Sequence, residues 1–332
     1  MIPISVLIGL SGVVATATPV LVAVLGETIT ERAGVINLSL NGTIILSAMG
    51  GFAVAYSTGS LALGFLTGMA IGALMALIVA FSSIDLHQSQ VAVGFVLALF
   101  GRDLGYFLGV PFMNTPGPSL TDLPIPLLKD IPVLGVVFFR HDVITYISIL
   151  LILVVWLWLY RTRPGLMLRG IGERPAAAYV RGAHVNRLRY LYTLLGGALV
   201  GLAGPAYTLN VKPGWMGTQT GLDGFGWIAL AIVIFGAWDP LRGAFGVYLF
   251  ALLQWLGIVL QPSMPGVPSQ VLQVAPFPLM IMTLLLVNIG STEWVTRTLA
   301  GLPESTRKVI TGILRSLRAS PPGGLGVPFE QE

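Results

Sequence analysis

Long apolar runs constrain the fold of this chain more than any other feature. Nine of them follow one another, separated by short segments that contain Gly, Pro or charged residues. A helix needs about 20 apolar residues to cross the hydrocarbon core of a bilayer. The runs cover residues 4–25, 35–56, 60–82, 91–109, 143–160, 190–210, 225–238, 242–260 and 271–289. They predict an all-α polytopic membrane bundle of roughly eight to ten transmembrane helices.

The composition indicates the same environment. Only 10% of the 332 residues are charged, whereas a typical soluble domain has about 25%. The chain has no Cys, which excludes disulfides and thiolate metal sites. Its net charge of +4 raises the question of nucleic acid, but the basic residues cluster between the apolar runs. We therefore predict contact with membrane lipid, no nucleic-acid partner, and a multi-pass protein of the cell (inner or plasma) membrane.

The Arg residues predict the orientation of the helices. Residues 161–189 contain seven Arg and one Glu, and the positive-inside rule places such a segment in the cytoplasm. The tail after residue 290 is also basic, and an even number of runs separates the two segments. The same alternation places residues 26–34 and 83–90 inside, and the Pro-rich loop 110–142 and the N-terminus outside. One split or re-entrant run would reverse the N-terminal prediction.

Two parts of the chain differ in composition. Residues 1–290 form the predicted transmembrane domain, and residues 291–332 form a cytoplasmic tail. Within the tail, residues 305–320 place Ile and Leu on one helical face and basic residues elsewhere. This pattern predicts an amphipathic helix on the anionic cytoplasmic leaflet. The last twelve residues, PPGGLGVPFEQE, are typical of disorder.

The segment GERPAAAYVRG, residues 172–182, has the start and stop signals of a short helix. Pro175 suits the first helical turn, three Ala follow it, and Gly182 suits the C-terminal stop. Such a helix, standing off the membrane, could lie in the groove of a soluble partner. The alternative is an ordinary charged loop that is held by lipid phosphates. The residues alone leave both interpretations open.

Several separated motifs resemble those of one known family. GLMLRGIGERPAAAYVRG, followed by GGALVGLAG, resembles the coupling loop of ABC-importer permease subunits. GETITERAGVINLSLNGTIILSAMGGF resembles the signature of the branch that serves nucleosides and simple sugars, the ribose-type branch with basic-membrane-protein-type binding lipoproteins. QVAVGFVLALF and GFGWIALAIVIFGAWDPLRGAFG match further blocks. The resemblance covers residues from about 19 to 290, in order.

The resemblance implies a type II ABC importer permease fold and a transport subunit that is not an enzyme. Two permease subunits, identical or distinct, would form the pathway. ATP-Mg would bind to a separate ATP-binding subunit, which agrees with the lack of a G-x-x-x-x-G-K-[ST] motif here. An extracytoplasmic substrate-binding lipoprotein would dock on the outer face, including parts of 110–142, and this chain would hold no cofactor. The coupling loop would be 161–189, with ATPase coupling assigned to Gly172, Glu173, Arg174, Pro175, Ala177 and Ala178.

The stretch ERAGVINLSLNGTIIL places polar side chains in an otherwise apolar region. Asn37, Ser39 and Asn41 alternate, and Gly34 and Gly42 bracket them. Broken helices at membrane depth are tolerated where they line a cavity, so with the resemblance we assign the three polar residues to the substrate pathway. The alternative is that they cap a helix and bond to neighbouring backbone. The family pattern has Glu where this chain has Asn41, so its substrate could differ from the usual nucleosides.

A second Gly-interrupted segment, KPGWMGTQTGLDGFGW at residues 212–227, lies in the other half of the chain. Importer folds often contain two paired broken helices. We hypothesise that this segment and ERAGVINLSLNGTIIL form such a pair. Trp215 and Trp227 could stack on a base or sugar ring, or could lie in the interfacial aromatic belt. We assign Trp227 to the pathway, together with Gln90 at the start of an apolar run.

Acidic residues inside the predicted helices are nearly absent, and Asp103 is the clearest one. With Arg102 it forms either a functional intramembrane pair or two groups near the outer interface. A self-sufficient secondary carrier driven by protons usually needs a relay of Asp, Glu or His, so their scarcity disfavours that alternative. A permease for branched-chain amino acids is the nearer alternative. The sequence names neither the exact substrate nor the composition of the permease pair.

Overall fold

The computed structural model describes residues 3–263, residue 278 and residues 320–330. Within these ranges the chain is helical, with loops and short 3-10 and π turns, and contains no β-strand. Seven helices there are long and apolar enough to cross a membrane. The predicted all-α polytopic membrane fold is therefore confirmed. The ninth predicted run, 271–289, lies almost wholly outside the described residues.

The described α-helices follow the predicted runs closely. The seven long ones match seven runs, and the run at 225–238 forms a shorter helix. The helices are α1 (Ile4–Arg32), α2 (Leu40–Thr58), α3 (Leu61–Ile84), α4 (Gln90–Leu108), α5 (Leu134–Phe138), α6 (Val143–Arg161), α7 (Arg163–Glu173), α8 (Pro175–Val180), α9 (Val185–Ala206), α10 (Phe225–Phe235) and α11 (Pro240–Leu260).

Helix α1 continues to Arg32, beyond the predicted end at residue 25. Glu27 and Glu31 belong to it and are 0% and 5% exposed. The helix continues through these carboxyl groups because distant residues supply hydrogen bonds. The backbone N–H of Asn37 donates to Glu27 Oε1 at 3.2 Å, and the indole N–H of Trp238 donates to Glu31 Oε2. The expectation that acidic residues are nearly absent from the helices is therefore wrong.

Small residues allow the central helices to approach closely. Gly72 of α3 lies against the backbone of Gly197 and Gly201 of α9, so closely that a Cβ on Gly72 would overlap it. Gly26 of α1 lies against Gly196 of α9 in a similar way. Helix α9 therefore forms the centre of the bundle, between α1 and α3.

Two non-helical segments interrupt the bundle. After α1, residues 33–39 turn back along it, since Asn37 bonds to Glu27, five residues before the helix end. At a rise of 1.5 Å per residue, Asn37 therefore lies about 7.5 Å inward from the end of α1. After α9, a π-helical turn (Tyr207–Val211) leads into irregular residues 212–224, which precede α10. Both predicted Gly-interrupted segments are thus real breaks.

Segments predicted to be cytoplasmic lie together at one end of the bundle. Arg32 at the end of α1 forms an ion pair with Glu173 in the predicted coupling loop, with an N–O distance of 3.6 Å. The Tyr190 hydroxyl hydrogen-bonds to Asp85, which lies between α3 and α4. Loop 110–142 instead contacts the chain that follows α9, at the other end. This arrangement agrees with the alternation of the helices that the Arg pattern predicts.

The predicted coupling loop contains two helices, α7 and α8. The helix expected over residues 172–182 is shorter, because Gly172 and Glu173 end α7 and Arg174 separates the two helices. Pro175 takes the first position of α8, as its missing N–H favours. Gly182 has a φ of +87° just after the helix, so the stop signal is confirmed.

The end of the chain differs from the predicted disorder. In residues 320–330, Pro322 and Gly324 are buried. Leu325 and Phe329 pack against the main hydrophobic core. The segment forms no helix or strand, but it makes two backbone hydrogen bonds within itself, from Leu325 to Pro322 and from Val327 to Gly324, and further contacts with other elements. Its Pro- and Gly-rich composition therefore does not indicate that it is ordered. The predicted amphipathic helix lies outside the described residues, apart from Ser320.

Candidate functional site

The two broken segments meet at Asn41, in the first turn of α2. The side-chain oxygen of Asn41 accepts from the backbone N–H of Gly224 at 2.8 Å, and its Nδ2 donates to Asp223 Oδ1 at 2.8 Å. Gly226, in the first turn of α10, lies so close to the Asn41 backbone that a Cβ would overlap it. Asn41 therefore joins the N-terminal ends of α2 and α10, and we call this contact the junction.

Arg102 of α4 extends the junction. Its Nε donates to Asp223 Oδ2 at 2.8 Å, and its Nη1 lies 3.3 Å from Asp103 Oδ1. The side chains of Arg102 and Asp223 are 37% and 40% exposed, so the two charges are paired but accessible. The stronger partner of Arg102 is thus Asp223, which the sequence reasoning missed. Its only signal in the sequence is a single carboxylate between two Gly in a broken segment.

Asn41 is 3% exposed, and the other polar residues that lie near the junction on the side of the first broken segment are also buried. Asn37 Oδ1 accepts from the N–H and the hydroxyl of Ser39 at 3.1 and 2.6 Å, and the Ser39 hydroxyl lies 3.1 Å from that of Thr43. Gln90 Oε1 accepts from the N–H of Ile36 at 2.7 Å. For Asn37, Ser39 and Gln90 these contacts favour the alternative role, in which they hold neighbouring parts of the chain.

Aromatic side chains line the same face of α4. Trp227 of α10 is 37% exposed, and its ring centroid lies 6.2 Å from that of Phe95. The guanidinium of Arg102 lies 5.7 Å from the centroid of the Tyr106 ring. Trp215 differs, because it is only 1% exposed and its ring packs 6.1 Å from that of Tyr106. Because Trp215 is buried, it lies neither in an interfacial aromatic belt nor in a position that is open for stacking on a substrate ring.

The end of α1 connects the turn between α10 and α11 with the predicted coupling loop. Arg32 pairs with Glu173 and also donates from Nε to the carbonyl of Trp238 at 3.0 Å, and from Nη2 to that of Ala237 at 3.3 Å. Glu31 accepts from the Trp238 indole. The sequence reasoning assigned no role to Glu31 or Arg32, although their charges lie within the quoted signature.

A groove of about 690 Å³ lies between α7 and α8. Its floor is apolar and its rim carries three Arg and one Glu. The lining residues are Arg163, Leu166, Met167, Gly170, Glu173, Arg174, Ala177, Ala178 and Arg181. Four of the residues assigned to coupling therefore line the groove. Gly172 is buried against the Arg32 carbonyl instead, and Pro175 begins α8.

Comparison with known proteins places these features in a family. The model of the family described as "Branched-chain amino acid transport system / permease component" matches residues 9–290. This range begins within α1 and covers the other membrane helices described here, both broken segments and the α7–α8 groove. No solved structure matches this chain.

Three curated relatives match most of the chain. A putative glucose ABC transporter permease protein of Haloferax volcanii is 38% identical over 77% of this chain and 80% of its own length. A nucleoside ABC transporter permease protein of Lactococcus lactis is 31% identical over 81% and 89%. A guanosine ABC transporter permease protein of Bacillus subtilis is 33% identical over 81% and 88%. A probable branched-chain amino acid transport permease of Methanocaldococcus jannaschii matches only 60 residues, 18% of this chain.

Proposed function

Because this chain belongs to the family of branched-chain amino acid transport system permease components, we propose that it forms the translocation pathway for a nucleoside or simple sugar. The chain is a multi-pass subunit of the ABC-transporter type in the plasma membrane, and it is a transport subunit and not an enzyme. Relatives with names that refer to glucose, nucleosides and guanosine support this class of substrate.

The junction at Asn41 is the observation that carries the proposal. Two broken segments bring the N-termini of α2 and α10 together there, as substrate sites in transporters often do. Asp223 and Arg102, whose side chains are 40% and 37% exposed, offer carboxylate and guanidinium groups that can exchange hydrogen bonds with sugar hydroxyls. The buried amide of Asn41 holds Asp223 in position. Trp227 and Phe95 offer aromatic surface for a sugar or base ring. In this proposal Asn37, Ser39 and Gln90 do not contact the substrate, and their hydrogen bonds hold the chain that forms the pathway wall.

The charges at the junction suit a neutral substrate. Arg102 pairs with both Asp223 and Asp103, so this cluster has no unpaired cation, and Asn41 is uncharged where the family pattern has Glu. A zwitterionic amino acid needs separate charged partners for its ammonium and carboxylate groups, and this cluster leaves no cation unpaired for the carboxylate. The relative that is named for branched-chain amino acids matches only 18% of this chain, so this alternative has less support.

Permeases of this family work with an ATP-binding subunit and a substrate-binding protein. We assign the α7–α8 groove as the place where the ATP-binding subunit, carrying ATP-Mg, docks on this chain. The apolar floor and basic rim suit an amphipathic, acidic segment of a partner. A second permease subunit, identical or distinct, would complete the pathway, and an extracytoplasmic binding lipoprotein would dock on the outer face, including parts of 110–142.

Transport by the reconstituted complex tests the pathway. Proteoliposomes would contain this chain with its ATP-binding subunit, its second permease and its binding protein, and would be offered labelled guanosine, glucose and leucine. We expect ATP-dependent uptake of a nucleoside or sugar, and a changed ratio of guanosine to glucose uptake in Asn41→Ala. Uptake of leucine alone, or uptake driven by an ion gradient without the ATP-binding subunit, would contradict the proposal.

Substitutions in the groove test the docking assignment. Glu173→Ala with Arg174→Ala is expected to lower transport per ATP hydrolysed while expression is retained. Gly182→Ala, just after α8, provides a control, since no atom lies within 4 Å of a Cβ at this position. Because Gly182 has a positive φ, which Ala resists, the thermal stability of this variant is measured as well. Unchanged coupling in the double variant would remove the role that we give to the groove.

A further inference from the structure

Residues 320–330 bind to the point where α7 ends and α8 begins. The N–H of Gly324 donates to the carbonyl of Gly172 at 2.7 Å, and the N–H of Gly323 donates to Glu173 Oε2 at 3.1 Å. Both acceptors lie at the end of α7, directly before the helix that closes the groove. The C-terminal segment therefore contacts the proposed ATPase-docking surface at its base and leaves the groove itself open.

The same segment also binds the loop that precedes α2. The N–H of Gly326 donates to the carbonyl of Gly34 at 3.0 Å. Gly326 has a φ of +74°, a conformation that favours Gly, and a Cβ there would lie 2.8 Å from Cδ1 of Ile36. Ile36 directly precedes Asn37 and bonds to Gln90. Three residues of the segment thus link the base of the groove to the first broken segment.

Arg189 of α9 gives a physical reason why the segment stays in place. Its side chain is buried, with the residue 1% exposed, and it donates to the carbonyls of Val327 at 2.9 Å and Gly324 at 3.3 Å. Among the described residues no carboxylate forms a salt bridge with it. A buried cation is costly unless it is hydrogen-bonded, so these carbonyls stabilise Arg189 in its position. A Cβ on Gly34 would lie 2.8 Å from Arg189 Nη2.

Side-chain contacts extend the attachment to α8. The ring of Phe329 lies 5.7 Å from that of Tyr179 between centroids. Asn186 Nδ2 donates to the carbonyl of Phe329 at 3.4 Å, and Leu325 packs against the main core. The segment is therefore fixed to α7, α8, α9 and the loop before α2 at once.

We propose that residues 320–330 act as a coupling strap, a positioning segment that transmits movement of the α7–α8 groove to loop 33–39 and so to the junction. This proposal rests on the proposed function, in which the groove receives the ATP-binding subunit. One side-chain link between α7 and the end of α1 is the Arg32–Glu173 pair, with side chains 15% and 51% exposed, and Gly172 also packs against the Arg32 carbonyl. Exposed ion pairs stabilise little, whereas the strap bonds to both regions through its backbone.

Truncation in the complete reconstituted transporter tests the strap. A stop codon at Ser320 removes it, and a stop codon at Gln331 is the matched control that removes two residues only. We expect the control to transport normally, and the longer truncation to move at least tenfold fewer substrate molecules per ATP hydrolysed. An unchanged ratio would overturn the proposal. Absence of uptake by the unmodified complex would instead refute the proposed function, so the two failures are distinguishable.

A cross-link provides a second test that leaves the strap in place. The chain has no Cys, so Tyr179→Cys with Phe329→Cys creates one defined pair for a short cleavable thiol cross-linker. If the strap moves with α8 as one body, transport after cross-linking stays within about twofold of that before it. The opposite result is transport that stops on cross-linking and returns on cleavage. It would show that residues 320–330 must separate from α8 during transport, and the strap proposal would be wrong.

Discussion

The two broken segments reach the same junction but are held there in different ways. The first, residues 33–39, is fixed by fully buried side chains, with Asn37 and Gln90 bonding to its backbone. The second, residues 212–224, has four Gly with positive φ, at 214, 217, 221 and 224. Its carboxylate at the junction, Asp223, is 40% exposed. Side chains also hold the second segment, since Thr220 Oγ1 accepts from the N–H of Met216 and Lys212 Nζ donates to the carbonyl of Gln219. Its conformation depends more on glycine than that of the first segment, which has one Gly with positive φ, Gly34.

This difference indicates two roles: the first segment is a scaffold that stabilises the fold, and the second is a surface that contacts substrate. Buried polar groups that are mutually satisfied hold a segment in one conformation, and they are costly to disturb. Glycine-rich backbone adopts conformations that other residues resist, and it gives a segment freedom to adjust. We therefore expect the first segment to determine stability and the second to respond to substrate. Asn41 is where the two meet, so variants there and on either side test the comparison.

The largest effect is expected from Gly226→Ala, which forces the segments apart. A Cβ at this position would overlap the Asn41 backbone, and overpacking costs about 1–3 kcal/mol. Transport in proteoliposomes should fall about tenfold or more, because a free-energy change of ~1.4 kcal/mol corresponds to a factor of ten. Gly12→Ala is the matched control, because nothing lies within 4 Å of a Cβ there. Equal transport by the two variants would show that close contact at the junction is not required.

A slightly smaller effect is expected from Asn41→Glu, which brings a second carboxylate next to Asp223. Like charges in close contact repel, and Arg102 can neutralise only one of them fully. We expect transport of the preferred substrate to fall by about tenfold, the factor that ~1.4 kcal/mol produces.

The double variant Asn41→Glu with Asp223→Asn is the control for this prediction. It exchanges the carboxylate and the amide across the same contact and keeps one negative charge near Arg102. Most of the lost transport should return. If Asn41→Glu alone leaves both the transport rate and the substrate preference unchanged, Asn41 contributes to packing only, and its assignment to the substrate pathway is wrong.

Asn37→Ala tests the scaffold. The N–H of Ser39 would lose its acceptor inside the protein, which costs about 1–3 kcal/mol for a buried group, while the Ser39 hydroxyl keeps Thr43 as a partner. The midpoint of thermal unfolding in detergent should fall, while the ratio of guanosine to glucose uptake by the remaining folded protein stays the same. A change in that ratio with no loss of stability would place Asn37 at the substrate surface instead.

The smallest effect on stability is expected from Arg102→Gln, on the side of the second segment. The pair that it breaks is exposed, and such pairs are worth about 0–1 kcal/mol. Thermal unfolding should therefore change little, whereas the substrate preference should shift because Asp223 is left with only Asn41 as a partner. A loss of stability as large as that of Asn37→Ala would remove the distinction between the two segments.

Much of the fold could be predicted from the sequence. Apolar runs of membrane length gave the helices, because a chain in lipid must satisfy its backbone hydrogen bonds locally. Both broken segments were visible as Gly and polar interruptions. The end of α1 was misjudged, because charged residues normally end a membrane helix. Glu27 and Glu31 are buried within it because Asn37 and Trp238 supply hydrogen bonds from other parts of the chain.

The candidate site could be predicted only in part. Asn37, Ser39 and Asn41 form one alternating pattern and are all buried, but only Asn41 bonds to the second broken segment, whereas Asn37 and Ser39 bond to one another. Asp223 was missed, since a single carboxylate in a loop gives no periodic signal. The order of residues 320–330 was also missed. A short Pro- and Gly-rich segment has no core of its own, and Arg189 and the base of the groove fix it from outside.

The sequence by itself determined the membrane class, the helices, the two breaks and the family motifs, because these depend on local composition and on the length of apolar runs. The tertiary structure alone decided which polar residues meet. Asn41 and Asp223 are 182 positions apart, and Arg189 and Val327 are 138 apart. Contacts at such separations depend on how helices pack around α9, and no local pattern records them. The physical reason is that a polar side chain acquires its role from the partner that satisfies it.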